Sequence, residues 1–185
     1  MQPLEADARA AREKIAVRDA VAGDLPAIAA IYGESVLNGV ASYELEPPSF
    51  EEMTERHASI VAAGYPYLVA EIEAEICGYA YASAFRTRPA YRYLVENSIY
   101  LDERWRGRGI GSMLLERLLA ECERLGFRQV IAVIGGAQPA SVALHRKAGF
   151  RSIGRIEASG FKFGRWLDTE LMQRALGPGA QNLPE

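Results

Sequence analysis

The feature that most constrains this chain is a stretch in which glycine and arginine alternate, residues 106–111, with the sequence Arg-Gly-Arg-Gly-Ile-Gly. An apolar, strand-like run at residues 98–101 leads into it, and an apolar pattern of helical period follows from Ser112 to Leu119. Glycine at such a junction lets a ligand approach the backbone, successive amides can form an anion-binding nest, and the helix N-terminus adds positive potential. The stretch therefore predicts a phosphate-binding loop, with an ordinary glycine-rich turn as the alternative.

The spacing of the glycines narrows the choice of phosphate ligand. A dinucleotide fingerprint would need a glycine where Ser112 stands, and the Gly-Lys-Ser/Thr of a Walker loop is missing. The pattern Arg106-x-x-Gly109-x-Gly111 instead resembles the pyrophosphate loop of the GNAT acetyltransferases, which bind coenzyme A. This resemblance implies acetyl-CoA as the cofactor.

The order of elements along the chain predicts a single α/β domain. Periodicity indicates a strand, two helices, three strands, a helix, a strand, a helix and two strands. This order resembles the GNAT fold, a mixed central sheet of about seven strands that is splayed at the acetyl-CoA site and flanked by about four helices. We expect residues 1–14 to be a loosely ordered extension, residues 15–176 to form the domain, and residues 177–185 to be a flexible tail.

Composition argues against several other classes of protein. A net charge of −3 gives no reason to expect a nucleic-acid partner. No apolar run approaches the roughly 20 residues of a membrane span, and residues 1–14 lack the apolar core of a signal peptide, so we expect a cytoplasmic protein without a membrane partner. Cys77 and Cys122 lie in apolar surroundings, which predicts buried thiols, and with only two histidines we expect no metal site.

Acyl transfer to an amine requires two proton transfers, because the ammonium must lose a proton and the departing thiolate benefits from gaining one. Glu96 lies in the strand that leads to the glycine loop, on the same strand face as Ser98. A carboxylate inside an otherwise apolar strand is costly unless it is paired or useful. Glu96 is therefore a candidate catalytic base, or else an ion-pair partner of the arginines at positions 86, 88 and 92.

His145 is the second candidate catalytic residue. It follows Gln138 by seven residues and Ser141 by four, so the three share one helix face. Many GNAT members carry an asparagine and a tyrosine at that seven-residue interval, the first contacting the pantetheine arm and the second protonating the sulfur. Histidine has a suitable pKa for that proton transfer; the alternative is a helix histidine that bonds a surface neighbour.

Five short motifs resemble more closely the phosphinothricin and methionine sulfoximine N-acetyltransferase branch of the GNAT family. They lie at residues 64–70, 95–100, 133–134, 144–150 and 162–168. The resemblance implies a homodimer and an acetyl-CoA site. The expected cofactor residues are Ile99, Tyr100, Leu101, Arg106, Gly107, Arg108, Gly109, Ile110, Gly111, Ser112, Gln138 and Ser141.

The same resemblance places the acceptor near residues 86–88 and 96–98, and chemistry supports this because the carboxylate of an amino acid needs a cation such as Arg86 or Arg88. Tyr43 is a further candidate for the pocket wall. The expected acceptor residues are Tyr32, Phe85, Arg86, Thr87, Arg88, Glu96, Asn97 and Ser98.

Together these patterns predict an acetyl-CoA-dependent N-acetyltransferase for a small amino acid or analogue of the phosphinothricin, methionine sulfoximine or methionine sulfone type. We expect direct attack in a ternary complex and a role in antibiotic or herbicide detoxification. Two alternatives stay open: a non-catalytic acyl-CoA-binding module, and an N-acetyltransferase for a protein or another amine. The segment 162–166 is either a structural hairpin or a dimer contact.

Overall fold

The computed structural model describes residues 15–183 and has the predicted order of helices and strands. The expected extension at residues 1–14 and the last two residues, 184 and 185, lie outside the described part. The elements are β1 Ile15–Asp19, α1 Leu25–Asn38, α2 Phe50–Ala62, β2 Tyr67–Ile72, β3 Glu75–Ala84, β4 Leu94–Leu101, α3 Ile110–Arg124, β5 Gln129–Gly135, α4 Pro139–Lys147, β6 Arg151–Lys162 and β7 Arg165–Ala175.

The seven strands form one sheet that opens in its middle. Their order is β1-β2-β3-β4-β5-β7-β6, and among the strands of residues 15–183 only β4 and β5 pair in parallel. That pairing covers Leu94–Asn97 and Gln129–Ala132 and then stops. Beyond Asn97 and Ala132 the two strands separate, although each stays paired to its outer neighbour. The predicted splay is therefore confirmed, and we call this opening the fork.

Helices cover both faces of the sheet. Side chains of α3, with flanking residues of α4, pack in one apolar core, to which Val95 of β4 contributes. Side chains of α1 and α2 pack in a second core, against which Tyr100 of β4 lies. Because successive strand residues point to opposite faces, odd-numbered residues of β4 face α3 and α4, and even-numbered residues face α1 and α2.

The sequence predicts that Asp24 caps α1 and that Ser49, three residues before Glu52, caps α2. The Ser49 hydroxyl accepts a hydrogen bond from the Glu52 amide at 3.1 Å and so caps α2 as predicted. Asp24 was predicted to cap α1, and this is wrong: its carboxylate instead accepts hydrogen bonds from the Val21 amide and the Arg18 guanidinium. The charge of the guanidinium makes it the stronger partner for the carboxylate.

The C-terminal hairpin is longer than predicted. The sequence predicts that the last two strands are joined by a five-residue turn at 160–164. In the structure β6 continues to Lys162, and the turn consists of Phe163 and Gly164. Within it Lys162 is buried and donates to the Ser42 carbonyl at 2.9 Å, while Phe161 and Trp166 are exposed. In the expected tail, Asn182 accepts a hydrogen bond from Arg128, and Gly179 and Gln181 close two turns.

Two further expectations concern side-chain burial and membranes. Cys77 and Cys122 are free and buried, as predicted. In residues 15–183 the structure contains no helix with the length and apolar character needed to cross a bilayer.

Candidate active site

The fork opens into a cavity of about 600 Å³. Its walls come from four parts of the fold: the ends of β4 and β5 beyond the point where the two strands separate, the glycine loop, one side of α4, and the loop after α1. The lining residues that the sequence indicated are Asn97, Ser98, Ile99, Tyr100, Leu101, Arg106, Gly107, Gly109, Gly111, Ser112, Gln138, Ser141 and His145.

The glycine loop presents free main-chain donors to this cavity. The Arg106 amide bonds the Glu103 carbonyl, and the first helical bonds run from Ser112 and Met113 to the Gly109 carbonyl. Between them, the five amides of residues 107–111 donate to no acceptor in the described chain, 15–183. Free amides at the N-terminus of a helix form an anion site. The loop therefore fits a diphosphate, as its sequence predicted.

Two of the expected cofactor residues do not contribute side chains to the cavity. Ile110 is fully buried in the core under α3. Arg108 is exposed, and its guanidinium lies 4.7 Å from the centre of the Trp105 ring. Arg106 does line the cavity, and it pairs with Glu34 of α1 at 3.3 Å. Ile110 can therefore take part in anion binding only through its backbone amide.

The loop after α1 forms a further wall of the cavity. Val40 and Ala41 line the cavity, and the Val40 carbonyl comes so close to β5 that a Cβ on Gly135 would lie 2.6 Å from it. Tyr43 holds this loop, since its hydroxyl lies 2.9 Å from the Asp168 carbonyl and accepts from the Gly136 amide at 3.1 Å. Tyr43 thus anchors the loop to β7 and to the residue after β5. Its expected place in the wall of the acceptor pocket stays a prediction.

His145 and Asn97 form a buried pair beneath the fork. Asn97 Nδ2 lies 2.9 Å from His145 Nε2, and His145 Nδ1 lies 2.8 Å from the Ser141 carbonyl oxygen. Because a carbonyl can only accept, Nδ1 carries the hydrogen of the neutral ring. Burial lowers the pKa of His145, with the hydrogen bond to Ser141 opposing the shift. The ring is therefore neutral near pH 7, with its Nε2 lone pair directed at Asn97.

Glu96 lies on the other face of the sheet from His145. It follows Val95 and precedes Asn97 on β4, so its side chain faces the helices α1 and α2. It forms no salt bridge with any residue in the described range, so the ion pair considered as its alternative role is not formed. Burial raises the pKa of the Glu96 carboxyl above its ordinary value, and the positive charge of Arg86 partly opposes that rise.

The other expected acceptor residues gather on the Glu96 face and in the loop after β3. Tyr32 is buried, its hydroxyl lies 3.0 Å from Ser42 Oγ, and its ring meets Tyr100 edge-on at 5.0 Å. In the loop, the Arg86 guanidinium lies 4.8 Å from the centre of the Phe85 ring. Thr87 and Arg88 are exposed. Of the eight expected acceptor residues, Asn97 and Ser98 are the two that line the cavity itself.

Several lining residues were not indicated by the sequence. Ser35 lies in the last turn of α1, Gly39 directly follows that helix, and Ala143, Leu144 and Lys147 come from α4. Ser35 and Gly39 lie far before the glycine loop in the chain, and no local pattern marks them. Separately, the described residues contain no group of three or more His, Cys, Asp or Glu side chains that could hold a metal ion.

Comparison with known proteins agrees with this geometry. Residues 34–150 match the model of the Acetyltransferase (GNAT) family. An open sheet, a cavity at the fork and free amides before α3 fit an acyl-CoA-dependent transferase, because coenzyme A carries a diphosphate that such amides can bind. The chain belongs to the GNAT acetyltransferase family, whose acyl donor is acetyl-CoA, and it is an N-acetyltransferase.

Individual relatives place it within that family. A phosphinothricin N-acetyltransferase of Alcaligenes faecalis is 48% identical over 163 residues, which are 88% of this chain and 83% of the relative. A methionine sulfoximine/methionine sulfone acetyltransferase of Pseudomonas aeruginosa is 37% identical, with 88% and 95% covered. The crystal structure of a phosphinothricin acetyltransferase of Sinorhizobium meliloti in complex with AcCoA has a TM-score of 0.92, 58% identity, and coverage of 93% and 94%.

Proposed function

We propose that this N-acetyltransferase acts on the α-amino group of a small amino acid analogue of the phosphinothricin, methionine sulfoximine or methionine sulfone type. The observation that carries the proposal is the half-buried carboxylate of Glu96, one residue before the fork and free of any salt bridge within residues 15–183. The names of the relatives in the two branches support the class of acceptor.

Glu96 is the base in this proposal. An amino acid carries an ammonium group at neutral pH, and the group must lose a proton before its nitrogen can attack. A carboxylate whose pKa is raised by burial is a better acceptor for that proton than an exposed one. Glu96 takes the proton directly or through a water molecule. The acetyl thioester supplies the activated acyl group: a C–N bond forms, the C–S bond breaks, and coenzyme A leaves as the thiol after taking up a proton.

Arg86 and Arg88 bind the carboxylate of the acceptor. Both are exposed, and neither forms a salt bridge with another residue of the described chain. They lie in the loop directly after β3, whose residue Ser83 pairs with Glu96. An amino acid spanning from the arginines to Glu96 would therefore present its carboxylate to the cations and its amine to the base. Tyr32, Phe85, Thr87 and Ser98 complete the proposed acceptor site.

His145 was expected to donate a proton to the sulfur. In the observed geometry its Nε2 accepts from Asn97, so it can donate there only after it gains a proton and the Asn97 amide turns over. Coenzyme binding on this side of the sheet is proposed to involve Gln138 and Ser141 of α4, both of which line the cavity.

A homodimer is the proposed assembly. Four large apolar side chains of β6 and β7 are exposed, namely Ile153, Ile156, Phe161 and Trp166, and we call them the β6 patch. Phe161 and Trp166 are in contact, with ring centres 5.2 Å apart, and β6 is an edge strand of the sheet. Exposed apolar side chains at such an edge favour a protein interface. We also propose that the enzyme is cytoplasmic and acts in detoxification of an antibiotic or herbicide.

A thiol-release assay over a panel of amines tests the proposed function. Phosphinothricin, methionine sulfoximine and methionine sulfone are compared with proteinogenic amino acids and with peptides that carry a free N-terminus or lysine. We expect one of the three analogues to give the highest kcat/KM. Higher kcat/KM values for the peptides would overturn the acceptor assignment, and no turnover with any amine despite coenzyme binding would overturn catalysis.

A further inference from the structure

Asn97 lies at the point where β4 and β5 separate, and its side chain is buried there. The pair Asn97↔Ala132 is the last one between β4 and β5, so the cavity begins at this residue. The residue is only 6% exposed. Its Nδ2 is hydrogen-bonded to His145 Nε2, whereas its Oδ1 is buried and has no hydrogen-bond partner in the described part of the chain. A buried amide oxygen without a donor is costly, and at the wall of a ligand cavity it indicates a donor on the ligand.

The hydrogen-bonding chemistry of the His145 ring determines which atom of the Asn97 side-chain amide has no partner. His145 Nδ1 faces a carbonyl oxygen at 2.8 Å and must therefore carry a hydrogen. In the neutral ring Nε2 is then an acceptor, so Asn97 must present its NH2 group to it. The carbonyl end, Oδ1, is the unpartnered one. This assignment follows from the Ser141 carbonyl and needs no observed hydrogen positions.

The position of Asn97 also indicates which ligand supplies the donor. Its side chain contacts α4, on the opposite face from Glu96, so it lies on the coenzyme side of the sheet. The pantetheine arm of acetyl-CoA contains two secondary amides, and each has one N–H. We propose that Asn97 Oδ1 accepts a hydrogen bond from an amide N–H of that arm, and that His145 is the positioning residue that holds the Asn97 amide in this orientation.

This assignment differs from the acceptor role expected for Asn97. It rests on the proposed function only in that coenzyme A occupies the cavity at the fork, and it is independent of the acceptor amine. A binding experiment therefore tests it separately from turnover. Failure of the proposed function would appear as lost catalysis or a different acceptor, with the binding results unchanged.

The test measures dissociation constants by calorimetry for coenzyme A and for two analogues, each with one arm amide replaced by an ester. Wild-type protein should bind one analogue about tenfold more weakly than coenzyme A. Asn97→Leu should bind coenzyme A about tenfold more weakly than wild type does and should not distinguish it from that analogue. Adenosine 3′,5′-bisphosphate, which lacks the arm, should bind both proteins equally.

Equal affinity of wild type for coenzyme A and both analogues would overturn the proposal, as would equal affinity of Asn97→Leu and wild type for coenzyme A. If Asn97→Leu does not fold by circular dichroism, Asn97→Ser is used in the same comparison. A crystal structure of the wild-type protein with coenzyme A bound tests the same contact without any variant. A pantetheine nitrogen within hydrogen-bond distance of Asn97 Oδ1, about 3 Å, is expected, and a nitrogen beyond about 4 Å overturns the assignment.

A separate experiment tests the positioning role of His145. His145→Leu removes the acceptor for Nδ2, frees the amide to turn, and should weaken coenzyme A binding by about threefold. His145→Gln, whose side-chain oxygen can accept from Nδ2, should restore part of that loss. Unchanged affinity in His145→Leu would refute the positioning role.

Discussion

Asn97 Nδ2 and His145 Nε2 lie 2.9 Å apart and join β4 to α4 directly below the fork. Glu96, the neighbour of Asn97 in the strand, faces the other side of the sheet. The two residues expected to move protons therefore lie on opposite faces, with the coenzyme cavity between β4 and β5. This arrangement separates the chemistry of the acceptor amine from the contacts to the coenzyme, and it leads to distinct predictions for each.

Replacing the proposed base should slow chemistry without affecting coenzyme binding. We expect Glu96→Gln to lower kcat by a factor of about 10² to 10⁴, since it removes the proton acceptor, and to leave the dissociation constant of acetyl-CoA within about twofold. Steady-state kinetics and calorimetry measure the two quantities. Unchanged kcat in Glu96→Gln would show that the carboxylate is not the base.

The pH dependence of kcat/KM should report the pKa of Glu96 and the effect of the Arg86 charge on it. The active form is the carboxylate, so activity is lost as the pH falls through the raised pKa of Glu96. Arg86→Gln removes the charge that holds this pKa down, so the acidic limb of the profile should move to higher pH. Arg88→Gln is the matched control, because Arg88 makes no contribution to that pKa. Equal shifts in both variants would contradict the assignment.

His145 should affect the coenzyme more than the chemical step. With a lowered pKa and Nε2 engaged by Asn97, the ring has no proton to give on that nitrogen near pH 7. We expect His145→Gln to keep kcat within about threefold of wild type and to raise the KM for acetyl-CoA. A roughly hundredfold loss of turnover at constant KM would instead assign a proton transfer to His145.

The glycine loop should depend on the left-handed backbone at Gly107. Its φ is +77°, and Gly126, at the end of α3, has φ +86°; a Cβ on either residue would meet no atom within 4 Å. Alanine at each position should cost about 1 kcal/mol of stability through backbone strain. Only Gly107→Ala should weaken coenzyme A binding, by about tenfold. Thermal unfolding and calorimetry separate the effects, and an equal loss of affinity in Gly126→Ala would contradict this prediction.

The β6 patch should mediate self-association. Phe161 is 57% exposed and Val21, which follows the opposite edge strand β1, is 56% exposed, so the two positions are matched in exposure. We expect Phe161→Asp to convert a dimer to a monomer in analytical ultracentrifugation, because it places a charge in an apolar interface. Val21→Asp should remain a dimer. A monomeric wild-type protein, or a dimeric Phe161→Asp, would refute the proposal.

The sequence indicated those parts of the candidate site that a short stretch of chain can mark. The glycine loop could be recognised because its donors are consecutive in the chain, and Glu96 because a carboxylate is unusual in an apolar strand. The contact of Asn97 with His145 could not be predicted, since it joins residues 48 positions apart whose approach depends on how α4 packs. The anchoring of Tyr43 by Asp168 spans 125 positions and was missed for the same reason.

The short parallel pairing between β4 and β5 has a consequence for the mechanics of the molecule. Among the described residues, β1 to β4 on one side of the sheet and β5 to β7 on the other are joined by four residue pairs between β4 and β5 and by the amides of Arg128 and Gln129, which donate to the Tyr93 carbonyl. A ligand bound in the fork would contact both β4 and β5 and would therefore hold the two halves of the sheet together. Amide hydrogens of β5 should then exchange more slowly when coenzyme is bound, because separation of the two halves would require its release.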